Sequence, residues 1–254
     1  MRIAIANSSP TAIDLVRQVL SGVPGHRVIW EAVDGAEAVG KCAAETPDVL
    51  LLDIALPGVD GVEVTRRIMA ASPCQILIVT GAVKDHASRI LEAMRWGAID
   101  VVGTPAMDGG DLKGEKELLQ KMAVVQKLIG KRPETPAGKS PRPIHPDSVP
   151  LVVIGSSTGG PKALATILGG FPRDFRGAVV VIQHIDASFT RGLVDWLHGQ
   201  IHLGIAVARA GDVMARGKVL VAQGPGDLVM TRERALAYAD ADSRSPYHPS
   251  INLF

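Results

Sequence analysis

Short apolar runs punctuate the first half of the chain, at residues 3–6, 28–33, 49–54, 76–80 and 99–102. They are rich in Val, Ile and Leu and do not alternate with polar residues, as expected of strands buried on both faces. Amphipathic stretches such as 12–20 and 62–71 separate them. Roughly five strand–helix units predict one doubly wound parallel sheet over residues 1–129. The pattern then breaks. Residues 130–149 lie in "GKRPETPAGKSPRPIHPDSVP", too rich in proline for helix or sheet interiors, and read as an extended, semi-stiff, cationic linker. Apolar runs return at 151–154 and 179–182, helical patterns at 162–168 and 189–201, and shorter strands at 218–222 and within 227–238, the last a candidate hairpin. A second α/β domain is expected over 150–254.

Composition narrows the class. With 254 residues, 46% of them hydrophobic, the chain can bury a sizeable core. A formal net charge of +1 gives no electrostatic case for a nucleic-acid or membrane partner. Cys42 and Cys74 are the only cysteines, which excludes a disulfide framework or a Cys-rich zinc site; each reads as a small buried hydrophobe. The apolar start is too short for a signal peptide, and no apolar run is long enough to span a bilayer. A soluble, cytoplasmic protein is the expectation.

In an open parallel sheet, ligands sit beyond the carboxyl ends of the strands. Those ends carry Asn7-Ser8, Asp53, Thr80 and Thr104. Asp53 follows a wholly apolar strand in "LLLDIALPGVDG", where a carboxylate is costly unless something uses it. Spacing alone leaves two readings open: a functional acid, or a residue that caps the turn made by Pro57-Gly58 and Asp60-Gly61.

The segment resembles a response-regulator receiver domain, whose signature is D-x-x-[LM]-P-x-x-D-G. The resemblance implies a flavodoxin-like fold, Asp53 as phospho-acceptor, Thr80 as switch hydroxyl, Mg²⁺ for phosphorylation and a chemosensory histidine kinase as phosphodonor. Two departures stand out. Asn7 and Ser8 occupy the places of the two acids that help hold Mg²⁺, and Thr104 occupies the place of a lysine before Pro105. Mg²⁺ favours charged oxygen ligands, and the lysine would balance a phosphoryl group, so slow phosphorylation or none is expected.

In the second half, "VIGSSTGGP" joins an apolar run to a helix that starts at a proline. A phosphate loop needs G-x-x-x-x-G-K-[ST], but Pro161 stands at the lysine position. A dinucleotide fingerprint fails at Ser157, where its second glycine belongs. A serine nucleophile on a tight strand-to-helix turn fits the residue types and needs a base. His184 ends the next apolar run, in "VVVIQHIDASFT". A lone histidine there is as readily a structural hydrogen-bonder as a base.

The two stretches together resemble the methylesterase domain of chemotaxis protein-glutamate methylesterases, in which a receiver, a linker and a Rossmann-like α/β catalytic domain follow in this order. By residue match, Ser157 is the nucleophile, His184 the general base, and Thr158 supports the site. The implied reaction is hydrolysis of glutamate γ-methyl esters, with deamidation of glutamines in related enzymes, on the cytoplasmic helices of chemoreceptors. No catalytic cofactor or metal is implied. In the family the receiver covers the active-site face until it is phosphorylated.

The family's triad aspartate belongs to an Asn-Asp-Gly segment well beyond the stretch that here reads Tyr247-His248-Pro249-Ser250, so the domain reads as incomplete at Phe254, with an apolar edge exposed. Asp227 stands where the family places a histidine near the substrate. With Asn7, it resembles the branch serving surface-sensing chemosensory systems more than the flagellar branch. The alternative is a non-catalytic adaptor that docks on receptors; a DNA-binding output fits neither the α/β pattern nor the net charge.

Overall fold

The computed structural model describes residues 1–129, 149–224, 226–240, 248–251 and 253–254. All but the last residue of the expected linker lies outside the described residues. The chain divides into two units, Met1–Arg132 and Pro133–Phe254.

The first unit alternates strand and helix: β1 (Arg2–Ala6), α1 (Pro10–Ser21), β2 (Arg27–Ala32), α2 (Gly35–Ala44), β3 (Val49–Leu52), α3 (Gly61–Ala71), β4 (Gln75–Thr80), α4 (Ala87–Trp96), β5 (Asp100–Gly103), a small hairpin of β6 (Ala106–Asp108) and β7 (Asp111–Lys113), and α5 (Glu115–Ile129). The five strands pair in parallel in the order β2-β1-β3-β4-β5. The order reverses between β1 and β3, so the crevice of this doubly wound sheet opens where those two strands end. Ile3, Ile5, Leu51, Leu77, Val79 and Val102 pack against α1 and α5 on one face. The alternate positions Ala4, Leu50, Leu52, Ile76 and Ile78 are equally buried, on the side of α2, α3 and α4, which lie against one another in sequence order. Burial on both faces is why these strands carry no polar alternation.

Helix starts are set locally. Ser9 caps α1 ahead of Pro10, and Asp34 and Asp60 cap α2 and α3 by accepting from the N–H groups of Glu37 and Glu63. Asp60-Gly61, expected as a turn, is thus the cap and first residue of α3. Gly61 is needed for close approach: a Cβ there would lie 2.7 Å from the carbonyl oxygen of Asp53. Cys42 is fully buried, its thiol reaching the carbonyl of Ser72 at 3.7 Å, as a small core hydrophobe would sit.

The second unit contains β8 (Leu151–Ser156), α6 (Gly160–Gly169), β9 (Ala178–Gln183), α7 (Ala187–His198), β10 (Gly204–Val207), β11 (Lys218–Val221) and the antiparallel pair β12 (Asp227–Met230) and β13 (Leu236–Ala239). Its four-stranded sheet is parallel, in the order β10-β11-β9-β8. Val180, Ile182 and Leu220 pack with Leu228 and Leu236 of the hairpin on one face, where Ile251 also lies. Val179, Val181, Val219 and Val221 are buried on the other. Among the described residues β8 is the last strand of this sheet, and its Val153 is 45% exposed. Among the described residues no helix is long and apolar enough to cross a membrane.

Candidate functional site

Both sheets bring the singled-out residues to their carboxyl-terminal rims. In the first unit Asp53 follows β3 and is tied to β1 by its N–H, which donates to the carbonyl of Ala6 at 2.8 Å. Its Oδ1 accepts from the N–H of Ala55 at 3.2 Å, a turn of the Asx kind. The two readings left open for Asp53 therefore meet: the carboxylate shapes its own turn while half-exposed at the crevice. Thr80 ends β4, the neighbouring strand. It is buried, and its hydroxyl lies 3.5 Å from Nδ1 of His86, at the start of α4.

The same rim shows what the crevice offers a cation. Asn7 is buried, and its Oδ1 already accepts from the N–H of Ser9 at 2.8 Å. Ser8 is exposed and neutral. Among the described residues no cluster of three His, Cys, Asp or Glu side chains is placed to hold a metal ion. Asp53 is thus the one carboxylate among the residues matched to the receiver's ion site, a poor fit for Mg²⁺. Arg89 of α4 donates to the carbonyl of Ile54, next to Asp53, and pairs with Asp60, each at 3.0 Å. Thr104, at the lysine position, has a buried hydroxyl that makes no hydrogen bond among the described residues.

In the second unit the geometry follows from strand register. β8 and β9 pair in parallel with Ser156 opposite Gln183, and the N–H of His184 donates to the carbonyl of Ser156 at 2.9 Å. Ser157 and His184 are the next residues on each strand, so they leave the sheet side by side. Ser157 is exposed and His184 half-buried. The turn after Ser157 is closed by the N–H of Gly160 donating to the Ser157 carbonyl at 2.8 Å. Gly159 adopts φ +76°, the left-handed region open to glycine, and Pro161 follows in the first turn of α6. The helix N-terminus is directed at the same rim, and its partial positive charge favours an oxyanion there.

One residue of this rim was passed over in the sequence. Gln183 is the only polar side chain of β9 and is 2% exposed. It bonds to Ser156 and to the carbonyls of Ser157 and His184. The signal was available: a polar residue ending an apolar run is the argument that picked out Asp53.

Asp227, expected to face the substrate, is fully buried instead. Its carboxylate lies 3.1 Å from Nδ1 of His248 and accepts from the N–H of Ser250 at 2.6 Å. A buried carboxylate needs such partners, and these fasten residues 248–251 to the hairpin, so Asp227 anchors a segment rather than meeting solvent. A cavity of about 490 Å³ beyond β11, lined by Gln223, Tyr238 and Asp240 among others, includes neither Ser157 nor His184.

Comparison with known proteins gives these two rims a family. Residues 3–110 match the response regulator receiver domain, and residues 152–254 match the CheB methylesterase domain. The whole chain is 43% identical over 258 aligned residues to protein-glutamate methylesterase/protein-glutamine glutaminase 1 of Burkholderia lata, of which it spans 76%. A protein of the same name from Pseudomonas fluorescens is also 43% identical, with 76% spanned, and a relative from Mesorhizobium japonicum is 40% identical, with 76% spanned. Among solved structures, the response regulator domain of Thermotoga maritima CheB is 25% identical with a TM-score of 0.45, covering 52% of this chain and 98% of that one. The catalytic domain of the same enzyme is 30% identical with a TM-score of 0.39, covering 42% and 58%. The class is that of receiver-linked methylesterases. The chain belongs to the protein-glutamate methylesterase/protein-glutamine glutaminase family.

Proposed function

We propose that this protein hydrolyses γ-glutamyl methyl esters, and deamidates glutamines, on the cytoplasmic helices of chemoreceptors under control of its receiver domain. The observation that carries the reading is the β8–β9 register, which sets Ser157 and His184 side by side at the mouth of the sheet. Ser157 Oγ attacks the γ-carbonyl carbon while His184 accepts its proton. The imidazolium gives that proton to the departing methoxide, releasing methanol, or to the amine, releasing ammonia. Water, deprotonated by His184, then attacks the acyl-serine; the bond to Ser157 Oγ breaks, Oγ takes the proton back from the imidazolium, and the receptor's glutamate side chain is released. Thr158 supports the turn, and the N-terminus of α6 stabilises the tetrahedral oxyanion. None of these steps calls on a metal or cofactor.

The receiver reading rests on Asp53 and Thr80 ending adjacent strands. Asp53 is the acceptor for a phosphoryl group from a chemosensory histidine kinase, and Thr80 responds to it. With one carboxylate and no lysine at the matched positions, transfer is slow.

The test is methanol release from a methylated receptor fragment by the full chain. Ser157→Ala and His184→Ala are each expected to lower kcat by about a thousandfold or more. Ser157→Ala retaining turnover within about tenfold of the parent would remove Ser157 from the nucleophile's role.

A further inference from the structure

Gln183 sits where the two halves of this site meet, and its amide is fully committed. Oε1 accepts from the hydroxyl of Ser156 at 2.6 Å. Nε2 donates one hydrogen to the carbonyl of Ser157 at 3.0 Å and the other to the carbonyl of His184 at 3.1 Å. Carbonyl oxygens only accept, so the two of them fix which end of the amide is nitrogen. A second observation concerns Gly160. A Cβ there would lie 1.9 Å from Oε1 and 2.7 Å from Cδ of Gln183. The paired glycines of the serine turn therefore have separate tasks: Gly159 supplies the left-handed backbone, and Gly160 leaves room for this amide.

We infer that Gln183 is a positioning residue for the hydrolysis: by holding the backbone carbonyls of Ser157 and His184 on one rigid amide, it sets the spacing between hydroxyl and imidazole. The inference rests on the nucleophile-and-base reading of those two residues. Gln183 is 2% exposed and its amide is turned toward the two strand ends, not toward solvent. The sheet does not depend on it for register, because β8 and β9 pair through six residues by backbone bonds alone. An apolar side chain of similar size would fill the space at the end of β9 without the cost of burying an amide. What such a side chain would lack is the link between the two strand ends. Nucleophile–base geometry is steeply felt, since a misplacement of about 1 Å costs on the order of a hundredfold in rate.

The experiment uses the full chain and the methylated receptor fragment, with thermal midpoints recorded for every variant. Gln183→Met keeps length and volume and removes all three bonds. It is expected to lower kcat by about 10- to 100-fold while KM stays within about twofold. Gln183→Glu supplies a signature that a packing role would not. Its ionised carboxylate faces two carbonyls with no hydrogen to give, whereas its protonated form regains one donor. The ratio of its kcat/KM to that of the parent therefore rises as pH falls from about 8 to about 6, while the Gln183→Met ratio stays flat. Dividing by the parent cancels the pH effects that both chains share. Gly160→Ala displaces the amide without altering it and reproduces the Gln183→Met loss, which keeps the idea testable should Gln183→Met not fold. A kcat for Gln183→Met within about threefold of the parent, or a flat Gln183→Glu ratio, overturns the inference. Ser157→Ala is run alongside: an inactive Ser157→Ala beside a fully active Gln183→Met sinks the positioning role alone. An active Ser157→Ala sinks the nucleophile reading and this inference with it.

Discussion

Asp53 shows how far one residue's surroundings decide its chemistry. A carboxylate after a wholly apolar strand was conspicuous in the sequence, and the fold sets it at the β1/β3 crevice. The other positions matched to the receiver's site are neutral: Asn7, whose oxygen is spent on Ser9, an exposed Ser8, and Thr104 in place of a lysine. Coulomb attraction for a divalent ion falls with each missing carboxylate. Beryllofluoride titration at millimolar Mg²⁺, followed by NMR of the Asp53 loop, is expected to show weak, slow saturation; rapid and tight saturation would show that neutral oxygens suffice. Gln183 and Asp227 mark the opposite limit of residue-level reading. Both are buried polar groups with partners from distant segments, Ser156 and Ser157 for one, His248 and Ser250 for the other. Spacing along the chain carries no record of such meetings.

At the scale of elements, apolar runs located the long strands because burial on both faces leaves no other pattern. The strands that escaped were β10, with four residues, and β6 and β7, with three each. The β6–β7 hairpin did leave a signal in Asp108-Gly109-Gly110-Asp111: the two glycines take φ +61° and +94°, as a tight hairpin turn with two left-handed residues requires. It was missed because β6 is exposed throughout and carries no apolar pattern. Helix α3 shows chemistry set by residues of its own first turns. Glu63 stands in its first turn, where hydrogen bonds from Arg66 and then Arg67 hold its carboxyl down to about 2. A depressed carboxylate contributes stability that is present above its unfolded value near 4.5 and lost as pH falls through about 2. The cluster lies at the surface, so the contribution is small and salt weakens it. Carboxyl NMR is expected to place the Glu63 midpoint near 2, and Glu63→Gln should flatten the pH dependence of the thermal midpoint between those values.

At the scale of the molecule, each unit has a buried cluster of its own among the described residues, that of the first lying between its sheet and α1 and α5, that of the second between its sheet and the β12–β13 hairpin. A cavity made in one core is therefore expected to act on that unit. Leu51→Ala, deep in the first, should lower the stability of its unit by about 2–5 kcal/mol. Denaturant unfolding followed by fluorescence and far-ultraviolet circular dichroism should show one transition moving while the other keeps its midpoint; two midpoints moving together would mean that the units unfold as one. Sequence by itself determined the alternation of strand and helix, the proline-dense break between two α/β halves, and the acid, serine and histidine at strand ends, because each is a property of neighbouring residues and their side-chain chemistry. Tertiary structure alone decided which strand ends became neighbours, that Gly160 must stay small, and that Gln183 and Asp227 are anchors. Those outcomes depend on strand order and register, which bring together residues far apart in the chain.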